Sequence, residues 1–231
     1  MVLFDRLIHQ IEDILPPDRK TFAYGKPALC QADRNSILFL KDTAFELGGS
    51  QKQCVSTMAV TSNIRFSNST CLYGKDLYEI KEDNDFGKIV LLEIDDIDED
   101  TAFDKIKELE LVRYKFCPEG FMTRASALSM REQIRVSKRT VTEKLSFADY
   151  GSALIEEYLN HPIVKSVEII FLTEFDRFDE LVMLADKIKN TTSALNHILD
   201  NAIFDCSACN LKEICDEIDG MKELHKKKIG G

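Results

Sequence analysis

FADYGSALIEEYLNHPIVKSVEIIFL, residues 147–172, is the stretch whose reading decides the fold. Residues 147–159 read as a helix, and His161-Pro162 breaks it. Residues 167–172, VEIIFL, form a short apolar run of strand length. Beyond them, residues 175–199 carry Leu181, Leu184, Ile188, Leu195 and Ile198 at helical spacing, which predicts one long helix or two in sequence. Helix, strand, helix in this order predicts a layered α+β (α/β) fold of mixed sheets flanked by helices.

Working outward, residues 131–137 (REQIRVS) alternate and predict another strand, and residues 88–94 (KIVLLEI) a buried one. Between them the acidic stretch 95–100 precedes a helix over 101–111, where carboxylates favour the positive helix start. That stretch lacks the glycine and terminal glutamate of a calcium-binding loop. Residues 2–15 place Leu3, Leu7, Ile11 and Leu15 four apart, the mark of an amphipathic helix, and Pro16-Pro17 stops it. A β-rich region is expected next, with apolar runs at 36–40 and at Cys54–Thr61. Residues 42–49 (DTAFELGG) lie between these runs and end in a glycine pair suited to a turn. No repeat or low-complexity linker divides the chain. A soft boundary falls near Ser146, giving an N-terminal α/β unit over 1–146 and a helix-strand-helix segment with a Cys cluster over 147–231.

The 231 residues are 44% apolar and 30% charged, an ordinary globular balance that can bury a core without disulfides or metal. The net charge of −10 and the lack of a basic, aromatic-interleaved patch argue against nucleic acid as a main partner. The Lys226-Lys227-Lys228 run reads as a solvated tail. Neither a signal-peptide stretch nor 18 consecutive apolar residues occurs, so a cytoplasmic protein with no membrane span is expected.

Of seven cysteines, Cys30, Cys54, Cys71 and Cys117 stand singly and read as small, partly buried apolar residues. Cys206, Cys209 and Cys215 crowd into the segment DCSACNLKEIC. A C-x2-C step lets one turn aim two sulfurs at one metal or cluster edge. Cys215 follows at the start of an expected helix, whose positive end favours a thiolate. Three readings stay open. An iron–sulfur cluster, of the [4Fe-4S] kind, needs a fourth thiolate or leaves one iron open. Zinc takes three thiolates plus a nitrogen or oxygen, from His225 or Asp216. Three unliganded thiols are the third. Cys117 before Pro118, Asp216, His225 and a second subunit are the candidates for the fourth ligand.

Residues 42–49 (DTAFELGG), Arg135-Val136-Ser137-Lys138, the strand-to-long-helix segment 164–188 and the terminal C-x2-C together resemble acetyl-CoA synthase. That family is the nickel–iron–sulfur β subunit of the carbon monoxide dehydrogenase/acetyl-CoA synthase complex. The chain is also similar to short stand-alone proteins of anaerobes grouped with it. The resemblance spans residues 36–215. It implies that Cys206 and Cys209 match the family's first cluster-binding pair and that Cys215 stands near the third. No Cys-Gly-Cys occurs in the chain, so no nickel pair is expected. The resemblance implies one-carbon or carbon monoxide metabolism, as an electron-transfer or accessory component or a CO-methylating transferase. It further implies a redox, corrinoid or methyltransferase protein as partner. A non-catalytic module with structural zinc is the alternative.

Elsewhere, no nucleophile-elbow, zincin, P-loop or dinucleotide motif is present. His9, His161 and His197 stand apart from any Cys or carboxylate at ligand spacing and read as structural or exposed. Arg124, Arg131, Arg135, Lys138 and Arg139 make a basic stretch suited to a phosphate-bearing ligand such as coenzyme A, to an acidic partner face, or simply to solvated strand edges.

Overall fold

The structure, a computed structural model, describes residues 3–30, 37–49, 51–62, 64–95, 101–126, 130–199, 212–218 and 221. The elements in chain order are α1 (Asp5–Ile14), β1 (Lys20–Ala23), β2 (Thr43–Leu47), β3 (Cys54–Thr61), β4 (Ser69–Tyr73), β5 (Phe86–Ile94), α2 (Ala102–Glu110) and α3 (Val112–Lys115). They continue with β6 (Phe121–Ala125), β7 (Glu132–Ser137), α4 (Lys138–Thr142), α5 (Phe147–Leu159), β8 (Val164–Leu172), α6 (Phe178–Leu199) and α7 (Lys212–Glu217).

Two sheets form. The larger has the order β1-β4-β8-β5-β3, with β4∥β8 and β5∥β3 parallel and the other pairs antiparallel. The smaller, β2-β7-β6, is antiparallel throughout. This is the expected α+β arrangement of mixed sheets flanked by helices. β8 sits at the centre of the large sheet, between strands that precede Ser146, so the segments on either side of that residue share one sheet. Continuous apolar sequence explains the centre: β5 and β8 are flanked on both sides and nearly every residue of each is buried.

α5 packs on β4 and β8, α6 on β3, and α1 against α6. The α1 face is the one read from the sequence, with Leu3, Leu7 and Ile11 buried beside Phe4 and Ile8. α5 begins with a capping box: Ser146 Oγ accepts from Asp149 N at 3.2 Å, and the Asp149 carboxylate accepts from Ser146 N at 2.9 Å. Its first amide, Phe147 N, donates to the buried Asp76 carboxylate at 2.7 Å. Inside, Phe147 lies 4.7 Å from Phe171, and Tyr150 meets Phe121 at 4.8 Å, joining α5 to both sheets.

The run at 36–40 does not form the strand expected of it. Residues 37–39 have no regular structure, and Leu40–Asp42 is a single 3-10 turn. Ile37, Phe39 and Leu40 are 66, 60 and 71% exposed. The run has apolar residues, but among the described residues no strand pairs with it. The strand starts instead at Thr43, inside the stretch read as a connection, where β2 pairs with β7. Gly48, at φ +63°, then turns the chain towards β3, where a Cβ would meet Cys54 Sγ at 2.5 Å. Among the described residues, no helix is long and apolar enough to cross a membrane.

Candidate functional site

Cys206 and Cys209 lie outside the described residues, as does His225. Cys215 and Asp216 fall on α7, but their side chains lie outside the description. What surrounds them is better defined. α7 packs against α6, and the residues just past it enter the core: Ile218 is 6% exposed and Met221 fully buried. Ile218 N donates to Ile214 O at 3.0 Å, and Met221 N to Ile218 O at 3.3 Å. In sequence, the first two cysteines therefore lie between a long docked helix and a docked terminal turn.

The single cysteines divide. Cys54 and Cys71 are buried as expected of small apolar residues, Cys117 is half-buried, and Cys30 is exposed. Among the described residues, no three His, Cys, Asp or Glu side chains converge as a metal site, so Cys117 meets no such group there. His161 Nε2 lies 3.5 Å from Glu108, and its Nδ1 is buried without a hydrogen-bond partner among the described residues. His9 is exposed.

Most of the basic stretch is engaged within the protein. Arg131 donates to the carbonyls of Gly48, Gly49 and Lys52 at 3.1–3.4 Å and so ties down the turn before β3. Arg135 pairs with Glu46 at 2.5 Å, and Arg139 with Glu119 and Glu143, both at 2.7 Å. Lys138 donates to the Lys41 carbonyl at 2.7 Å. These contacts use the charges to hold β2, β7 and α4 together.

A polar cluster that the sequence reading passed over sits where the two sheets meet. Registers Ser56↔Lys88 and Lys88↔Phe171 put these side chains on one face of the large sheet. From the small sheet, Glu132 reaches across. It takes a charge-assisted hydrogen bond from Lys88 and another from Ser56 Oγ at 3.0 Å. Lys88 and Glu132 side chains are 3% and 1% exposed. Around them Cys54 Sγ donates to the Glu132 carbonyl at 3.1 Å, and Ser56 N to the Met130 carbonyl at 2.6 Å. Residues 130–132 thus cover the open edge of β3. Burial pushes the Cys54 thiol up. Burial, reinforced by the Glu132 charge, pushes the Tyr158 phenol up as well, so both groups stay neutral at physiological pH.

The sequence did carry a signal for this cluster: a lysine opening the run KIVLLEI, directly before the unbroken apolar stretch 89–92. Its partner gave none, because Glu132 comes from a different sheet, 44 residues along the chain. The chain matches no protein-family model and no curated protein at a significant level.

Proposed function

We propose that this protein binds an iron–sulfur cluster of the [4Fe-4S] kind through Cys206, Cys209 and Cys215. On this reading it is related to the acetyl-CoA synthase subunit and serves one-carbon or carbon monoxide metabolism as an electron-transfer or accessory component. A redox, corrinoid or methyltransferase protein is its partner. The observation that carries the reading is the C-x2-C-x5-C spacing placed directly before a docked turn. A metal centre needs its ligands held with little conformational freedom, and in sequence the cysteines stand between α6 and the docked residues Ile218 and Met221. Thiolate donors suit iron–sulfur chemistry, and the cluster supplies one-electron transfer when bound. The chain's own part is to hold the sulfurs, exclude competing ligands and present one face to a partner. Without a Cys-Gly-Cys motif it has no ligand pair for nickel.

The test is purification without oxygen, with iron, acid-labile sulfide, zinc and nickel quantified per chain beside a visible spectrum. Near-stoichiometric iron and sulfide, lost in Cys206→Ser or Cys209→Ser, is the expected result. One zinc and no sulfide would make the segment a structural zinc site, completed by Asp216 or His225, and would remove the redox reading.

A further inference from the structure

Ile37, Phe39 and Leu40 are the most exposed large apolar side chains among the described residues, and they stand in one run. Their backbone is braced. The Phe39 carbonyl accepts from Asp42 N at 3.0 Å, Thr43 N at 3.1 Å and Thr43 Oγ1 at 2.9 Å, which closes the 3-10 turn over Leu40–Asp42. Arg135 donates to the Leu38 carbonyl at 3.4 Å and Lys138 to the Lys41 carbonyl at 2.7 Å. The run is thereby tied to β7 and to the start of α4. Two cations and a turn hold apolar side chains in water, an arrangement that suits a surface kept ready for another apolar surface.

Beside this ridge lies a groove of about 600 Å³, whose apolar lining is Ala28, Leu29, Leu38 and Leu145. Leu38 and Asp42 bracket Phe39 and Leu40 in sequence and both line the groove, so ridge and groove are neighbours on one face. The charged lining is spent within the protein rather than converging on a small polar ligand. Arg139 pairs with Glu119 and Glu143, both at 2.7 Å, and Lys138 is taken by the Lys41 carbonyl. Counting Lys41 of the turn, the face carries three cations (Lys41, Lys138, Arg139) and three carboxylates (Asp42, Glu119, Glu143). Chains of net charge −10 repel one another, and a face whose own charges cancel is where two copies can meet.

We propose that this face is the interface of a symmetric dimer, in which each copy seats Phe39 and Leu40 in the groove of the other. A two-fold contact needs ridge and groove on the same patch, because the same surface serves both sides. An aromatic anchor entering an apolar groove with a charged rim is the usual build of such a contact. The balanced signs let cations on one rim face carboxylates on the other. The interface uses none of Cys206, Cys209 or Cys215, and stands or falls independently of the metal reading.

The experiment is sedimentation equilibrium of the full chain over about 1–100 μM, with circular dichroism to check the fold of each variant. A dimer is expected. Phe39→Asp spoils the ridge and Ala28→Trp fills the groove, both at exposed positions. The two-fold counts each change twice, so each should weaken association about a thousandfold while the dichroism stays that of the parent. Leu40→Asp repeats the ridge test should Phe39→Asp misfold. A dimer that persists in the ridge variants, or that survives Ala28→Trp, overturns the proposal. So does a chain that stays monomeric throughout, which would leave the face to a different protein or to an apolar ligand.

Discussion

At the scale of single residues, the decisive feature is a charge placed where the hydrophobic pattern has no room for one. Lys88 and Glu132 are both almost fully enclosed, and each is tolerable only because the other is there. Replacing one partner strands the other: Lys88→Met should cost roughly 3–5 kcal/mol in urea unfolding. The double variant Lys88→Met/Glu132→Leu should recover much of that loss. A single variant within about 1 kcal/mol of the parent would show the pair to be solvated and the argument mistaken. A second residue-scale effect concerns Cys71, whose thiol donates to Glu168 Oε1 at 3.7 Å. Burial, with the Glu168 charge added, pushes this thiol from 9.0 up to about 11. In the unfolded chain the proton leaves near 9.0, while the folded protein holds it to about 11. Between those values the unfolded state binds fewer protons, so stability falls as pH rises, by roughly 1–3 kcal/mol. Urea midpoints on either side of that window, in the parent and in Cys71→Ala, isolate the contribution. An equal drop in both proteins would assign the loss to other groups.

At the scale of elements, the contact between α5 and β4 depends on an absent side chain. A Cβ on Gly151 would meet Thr70 Oγ1 at 2.1 Å and its Cγ2 at 2.9 Å, so the helix lies on the strand only because residue 151 is glycine. Gly151→Ala should destabilise by about 1–3 kcal/mol despite the gain in helix propensity. Thr70→Ala, which removes both obstructing atoms, should restore part of it. Strict additivity of the two changes in a double-mutant cycle would mean that the helix relaxes by another route. The same contact shows what was legible beforehand and what was not. β3, β5, β7, β8, α1, α5 and α6 follow from apolar runs, alternation, caps and breakers within about three residues of their ends. β1, β4 and β6 (KTFA, STCLY and FMTRA) carry no such pattern. β4 is buried from end to end although it holds Ser69 and Thr70, because β1, β8 and α5 enclose it. Its burial is a property of neighbours distant in sequence. The reverse held at 37–40, where apolar composition found no strand to pair with among the described residues and Ile37, Phe39 and Leu40 stay exposed. The polar cluster failed to show for the same reason: its members come from β3, β5 and β7, and only the assembled sheets bring them together.

For the whole molecule, the question is whether the cysteine segment is an appendage or part of the cooperative unit. The two sheets are joined through Cys54, Ser56, Lys88 and Glu132, and α6 is joined to β3, α1, α2 and α7. Ile218 and Met221 extend that unit past Cys215. A centre held by Cys206, Cys209 and Cys215 would then bind the folded chain in preference to the unfolded one. Its occupancy must stabilise everything coupled to it, by about 2.7 kcal/mol at a metal concentration one hundredfold above Kd. Chelation of the purified protein should therefore lower the melting temperature of the entire domain in one transition, and Cys206→Ser should melt with the chelated parent. Met221→Asp tests the coupling from the other side. It leaves every cysteine in place but makes the turn after Cys215 costly to bury, so it should weaken metal retention as well as lower stability. If chelation leaves the melting temperature unchanged, and Met221→Asp keeps its full metal content, the metal segment is mechanically separate from the fold. If both shift together, the docked turn is the lever through which a partner displacing α7 from α6 would loosen the centre.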